Sequence, residues 1–164
     1  MQRQDNTVGS RHNNDLAYIA GFLDGDGSIM LQIKKRKDGN VSGRRFMATI
    51  CFYQDARHAK PLEWIRKVLG IGYMSYRNDG MAELRINGFK QTEEILLKLL
   101  PFIKFKKIQA AEVVKAVRIL QKDIRTESDL RKVATAMIRI QSVNYATRKK
   151  KTLEEILIML DLTP

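Results

Sequence analysis

The stretch Asp24-Gly25-Asp26-Gly27 sets two carboxylates one residue apart at the end of the run Ala17-Tyr18-Ile19-Ala20-Gly21-Phe22-Leu23. Carboxylate oxygens are hard donors suited to a divalent cation, and glycines beside them let the backbone turn so that carbonyl oxygens can join as ligands. The run itself reads as a helix. Acids at its C-terminal end face the negative pole of the helix dipole, a repulsion that a divalent cation would offset. Residues two apart cannot share a helix face, so the two acids must do different work: one bonds locally and the other projects past the helix end. The plainer alternative is a tightly packed buried helix closed by an Asp-Gly turn.

The element carrying these acids is expected from about Leu16 to Asp24, with Asn14 or Asp15 as its N-cap and Gly25 and Gly27 as its stop. Ala17, Gly21 and Gly25 recur every four residues on one stripe, with Ala20 beside it. Such a smooth stripe lets two helices approach backbone to backbone. If the partner is the same helix of a second subunit, the acidic ends meet near the twofold axis and one carboxylate becomes a pair.

Downstream the period changes to two. Ile29, Leu31 and Ile33 alternate with Ser28, Met30, Gln32, Lys34 and Arg36, and Phe46, Ala48, Ile50 and Phe52 alternate with Arg45, Met47, Thr49, Cys51 and Tyr53. These are half-buried strands of one hairpin, turned at Asp38-Gly39-Asn40 and Gly43. A helix over Ala59 to Leu69 precedes a second hairpin, in which Tyr73, Ser75 and Arg77 pair with Glu83 and Arg85 across Asn78-Asp79-Gly80. Helical periodicity then covers about Lys90 to Leu100, Ile108 to Leu120, Glu127 to Asn144 and Leu153 to Leu160. The whole reads as α+β, αββαββα with extra C-terminal helices.

The outward faces of the hairpins gather Gln32, Lys34, Arg36, Arg45, Thr49, Tyr73, Ser75, Arg77, Glu83 and Arg85, the side-chain types that read base edges in a major groove. A strand of about ten residues at ~3.3 Å each follows roughly one turn of B-DNA. A solvated sheet face would use similar residues, and charge weighs on the side of nucleic acid. Lys and Arg outnumber Asp and Glu by 30 to 18, a formal charge of +12 in 164 residues. That excess suits a polyanion, nucleic acid ahead of an anionic membrane. The chain is long enough for one domain over residues 14–164, with the polar opening 1–13 expected as a flexible tail. One cysteine, Cys51, excludes an internal disulfide and a multi-cysteine zinc site and reads as a buried strand thiol. With no secretory apolar segment and no apolar run of about 18 residues, the expectation is a soluble intracellular protein without a membrane partner.

The stretch Ile19-Ala20-Gly21-Phe22-Leu23-Asp24-Gly25-Asp26-Gly27-Ser28 resembles the signature of the LAGLIDADG homing endonucleases, and the order of elements resembles that family over about residues 15 to 155. The resemblance implies a saddle-shaped antiparallel sheet lying in the major groove of double-stranded DNA. It implies Mg²⁺-dependent cleavage of both strands of a long, near-palindromic site, with Mn²⁺ as substitute and no small-molecule substrate. One copy of the motif implies a homodimer. Carried over by motif, Asp26 is the metal-binding and catalytic acid, the Gly25 carbonyl a further ligand, and Asp24 a structural acid at the helix end. Ala17, Ala20, Gly21 and Asp24 then border the subunit interface. Gln54 corresponds to a polar residue that orients water, and Lys106 to a basic residue that polarises water or offsets phosphate charge. His58 falls where single-copy relatives carry Arg or Lys, which leaves that role open among His58, Arg57 and Lys60. The run Thr147 to Lys151, with Arg148, Lys149 and Lys150, resembles a loop that grips the DNA backbone, while Ser28 and Met30 extend the reading face toward the acids. The same fold also serves RNA-splicing maturases and non-cutting DNA-binding regulators. A retained acid at position 26 favours cleavage, in an organelle or in an archaeal or bacterial cytoplasm.

Overall fold

The computed structural model describes residues 7–35, 43–144 and 148–164. Its elements run α1 (Thr7–Asp26), β1 (Gly27–Lys35), β2 (Arg44–Asp55), a single 3₁₀ turn (Ala56–His58), α2 (Lys60–Leu69), β3 (Tyr73–Tyr76), β4 (Met81–Asn87), α3 (Phe89–Leu99), α4 (Lys107–Leu120), α5 (Glu127–Val143) and α6 (Leu153–Met159). The expected α+β order holds, and from α2 onward each helix boundary lies within a residue of the one read from periodicity. The exception is α1, which begins at Thr7 rather than near Leu16. Ser10 to Asn14 are exposed, so this first half of the helix carries no apolar stripe for periodicity to detect. Arg36, the Asp38 to Asn40 turn and Thr147 lie outside the described residues.

The four strands form one antiparallel sheet in the order β1-β2-β4-β3. Its register sets the two faces. Ile29, Leu31, Ala48, Ile50, Phe52, Ala82, Leu84 and Ile86 line the side that packs against the helices, and all are buried. Ile19 and Leu23 of α1, Leu62 and Ile65 of α2, Leu96 and Leu99 of α3, and Val113 and Val117 of α4 close over them in one core. Phe52 is wholly buried, and its ring stacks on Phe22 at 6.2 Å, locking the last turns of α1 to β2. The last helix, α6, docks through Ile156 and Leu157 on Ala134 and Met137 of α5, near Ile33 of β1.

The passage from α1 into β1 has no loop, and Gly27 is what permits this. A Cβ there would lie 2.8 Å from the Cα of Leu23 and 2.9 Å from its carbonyl oxygen. Only a residue without a side chain lets the strand leave so close to the helix it has just ended. Helices α5 and α6 start with reciprocal capping boxes at Thr126/Asp129 and Thr152/Glu155.

Replacement of Phe52 by Ala opens a cavity at the junction of α1 and the sheet and should cost about 3–5 kcal/mol of stability. Urea unfolding should show this as a lower midpoint at unchanged slope. A loss below about 1 kcal/mol would mean that this ring is not the anchor of α1.

Candidate active site and nucleic-acid face

The two acids take different roles. Asp24 is 9% exposed, and its carboxylate accepts backbone N–H bonds from Lys104 (2.6 Å), Phe105 (3.2 Å) and Lys106 (2.9 Å). It thereby pins the entry of α4 against the end of α1, with charge-assisted bonds between segments far apart in sequence. Asp26 is exposed, and no hydrogen bond or ion pair engages its carboxylate among the described residues.

Lys106 follows from the same clamp. Its ammonium donates to the carbonyl of Leu23 at 2.9 Å and to that of Asp24. A cation therefore sits on the negative end of the α1 dipole, and the repulsion that the sequence suggested a metal must offset is already partly compensated by a side chain and three amides. Burial pulls the Lys106 ammonium below the usual lysine range, with Asp24 and Asp26 pulling the other way. Among the described residues no bond between elements uses the neighbouring carbonyl of Gly25.

Asp26, Gly25 and Lys106 border a cavity of about 820 Å³ together with Ser28, Tyr53, Phe105, Gln109 and Asn144. The donor set suits a hard cation in kind, an exposed carboxylate beside a backbone carbonyl. It falls short in number, since no group of three or more His, Cys, Asp or Glu side chains among the described residues could hold an ion. One chain thus supplies, among its described residues, too few such side chains to enclose an ion.

Neither Gln54 nor His58 borders this cavity. Gln54 pairs with Ala82 at the end of β2, and its Oε1 accepts the N–H of Asp55. His58 is exposed on the 3₁₀ turn, and Arg57 is held by the Asp55 carboxylate at 2.7 Å. Of the helix stripe, Ala17 and Gly21 are exposed, as is Gly25. Ala20, expected at a subunit interface, is 0% exposed inside this chain's own core, and the Asp24 side chain is spent on the α4 entry. A four-residue period finds the stripe but does not tell which flank turns inward.

The sheet face opposite the core carries Ser28, Met30, Gln32 and Lys34 on β1 and Arg45 on β2, with Arg85 on β4 and Tyr73 and Ser75 on β3. Arg77 follows just after β3. The middle of this face differs from the expectation of free base readers. Thr49 is fully covered and donates to Asn87 at 2.8 Å, and Asn87 in turn donates to the Tyr73 hydroxyl. Glu83 is 4% exposed and accepts from Arg77 at 3.0 Å and Arg85 at 2.9 Å, so it orients two cations rather than facing a base. Cys51, buried as expected, has its thiol pushed up by burial. Tyr53, which alternation places on this face without assigning it work, shares a 2.9 Å hydrogen bond with Ser28 beside Asp26. Lys149 and Lys151 of the basic run border a cleft with Gln32 and Lys34, and Arg148, Lys149 and Lys150 are exposed.

Comparison with known proteins gives this geometry a family. Residues 19–117 match the LAGLIDADG endonuclease family. The chain is 36% identical over 104 residues to the DNA endonuclease I-CvuI of Chlorella vulgaris, an alignment spanning 63% of this chain and 64% of that protein. It is 28% identical over 155 residues to the DNA endonuclease I-CreI of Chlamydomonas reinhardtii, spanning 94% of both. The fold superposes on I-CvuI bound to its DNA target in the presence of Ca, with a TM-score of 0.76, 26% identity and coverage of 93% of this chain and 96% of that one. It also matches the meganuclease I-CpaMI bound to uncleaved DNA, at a TM-score of 0.70 and 18% identity, covering 91% of this chain but 50% of that one. An exposed acid at the end of the motif helix, a basic residue clamped beside it and a polar sheet face converge on one assignment: the chain belongs to the LAGLIDADG family of homing DNA endonucleases.

Proposed function

We propose that two copies of this chain form a homodimer that cuts both strands of a long, near-palindromic DNA site in a Mg²⁺-dependent reaction. The observation that carries the reading is the pair of helical glycines on the exposed side of α1. Gly21 and Gly25 lie inside a helix, where glycine costs about 1 kcal/mol relative to alanine. A Cβ at either would meet nothing within 4 Å. Nothing among the described residues calls for glycine there, whereas a second helix approaching backbone to backbone does. Packing α1 on its copy brings two Asp26 carboxylates together and completes the donor set that one chain lacks. The exposed Phe105, 87% accessible, and Tyr18, 63% accessible and edge-on to Trp64, flank this surface.

In this reading Asp26 and the Gly25 carbonyl would hold the ion, whose chemistry when bound would be to activate a water and offset charge on the leaving oxygen. Lys106, fixed by two carbonyls, faces the incoming phosphate charge from a defined position. Gln32, Lys34, Arg45, Ser75, Arg77 and Arg85 read base edges, with Glu83 holding two of the arginines in orientation. Arg148, Lys149 and Lys150 bind phosphates and set affinity without choosing sequence. The place of action is wherever such a DNA target lies, inside a cell or organelle.

The substitution Asp26→Asn should abolish cleavage while leaving a gel shift with the cognate DNA nearly unchanged, and EDTA should do the same to the wild type. Cutting by Asp26→Asn, or in EDTA, would refute the assignment. By contrast, Asp24→Ala leaves three part-buried amides without their acceptor and should cost about 2 kcal/mol of stability, read by chemical denaturation, whereas Asp26→Ala should change it by less than about 0.5 kcal/mol. Gly21→Leu should leave the fold intact and give a monomer by sedimentation, and persistence of the dimer after that substitution would place the interface elsewhere. Neutralising Arg148, Lys149 and Lys150 should each lower the slope of log affinity against log salt by about one, without altering which sequence is preferred.

A further inference from the structure

Among the described residues three buried side-chain atoms lack a hydrogen-bond partner, Arg85 Nε, Thr92 Oγ1 and Gln109 Oε1, and of these residues only Gln109 borders the cavity that holds Asp26. Gln109 is 9% exposed. An amide oxygen removed from water and left unbonded is destabilising, and native proteins keep few of them, commonly where a water or a ligand completes the bond. Lys106 lies three residues earlier, at the N-cap of α4, so the two side chains emerge from the same side of the first turn. The Lys106 ammonium has three N–H donors, and the carbonyls of Leu23 and Asp24 take two. One donor and one acceptor are therefore left over beside the same cavity, which is polar and far larger than a water molecule.

We propose that Gln109 is a positioning residue for DNA cleavage: its amide oxygen accepts from a water that the third N–H of Lys106 also binds, in the cavity beside Asp26. The inference rests on the assignment of that cavity as the active site. A lysine held only by the two carbonyls keeps its last proton free to swing, and the water next to it has no fixed place. The amide removes both freedoms before the phosphate arrives, so the solvent and the cation need not reorganise as charge develops.

The test uses Gln109→Met, which keeps length and removes the acceptor, and Gln109→Glu, which keeps an acceptor. Single-turnover cleavage at saturating Mg²⁺ and DNA, DNA affinity and thermal melting of the metal-free protein are compared with the wild type. The Lys106 ammonium is followed by ¹⁵N-resolved spectra of the metal-free protein, with Lys106→Met for assignment. Gln109→Met should cut roughly tenfold or more slowly, bind DNA within about twofold, melt at the same or a higher temperature, and lose the slowly exchanging Lys106 signal. Gln109→Glu should recover most of the rate. Wild-type rate in Gln109→Met, an unchanged Lys106 signal, or a slowing that tracks a lower melting temperature overturns the proposal. Gln109→Ala gives the same readings if the methionine variant does not fold. Asp26→Asn is run alongside: if it is dead while Gln109→Met cuts at full rate, the site stands and this inference alone falls, whereas an active Asp26→Asn removes both.

Discussion

The constraint on which the molecule depends is the grip of one buried carboxylate on three backbone amides. Asp24 lies in the last turn of the first helix and receives the N–H groups of Lys104, Phe105 and Lys106, which lead into the fourth. Without it the two helix ends would present unpaired polar groups to each other inside the protein. With it, Lys106 is delivered to the carbonyls of the last turn of α1, Gln109 is brought in one turn later, and Asp26 is left outside the clamp, unengaged among the described residues. The clamped acid builds the wall of the cavity, and the acid proposed to hold the metal is the one it leaves free.

That the two acids do different work was legible from spacing alone, because residues two apart on a helix cannot point the same way, while which of them is structural came from the resemblance of the motif. The elements were legible too, since α2 to α6 and the hairpins carry strong periods. The beginning of α1 was not, because its exposed polar residues carry no periodicity. The covered middle of the sheet face escaped for a related reason. Alternation assigns Thr49 and Glu83 to the outer side, but whether such a residue meets solvent depends on its neighbours, here Asn87 for one and Arg77 and Arg85 for the other. Ala20 shows the same limit in a helix, where a small residue suits either flank of the stripe. Gln109 gave no signal at all, for a glutamine in an amphipathic helix looks like any solvated position until its oxygen is found buried and unbonded.

The two sides of the sheet follow opposite rules, and this is how a small domain can be both stable and adaptable. The core side is predominantly aliphatic and aromatic, from Ile29 to Ile86, with Gln54 at the end of β2, and it takes its stability from burial that does not depend on what the other side binds. The outer side holds its polar groups in bonded sets: Ser28 with Tyr53, Thr49 with Asn87 and Tyr73, Glu83 with its arginines. Each set arrives preorganised, which lowers the ordering cost when the face meets DNA.

The Glu83 arrangement carries a consequence for how recognition can change over generations. Arg77 and Arg85 both lean on Glu83, so these three positions behave as one electrostatic unit. Losing either arginine alone leaves a nearly buried negative charge half-compensated and releases the surviving cation toward the vacated side. Drift to a new target therefore cannot proceed one residue at a time at this spot. In the proposed base-reading role it must pass through poorly functioning intermediates or move in coordinated jumps, so any bases this trio faces should be the slowest part of the recognised sequence to diverge.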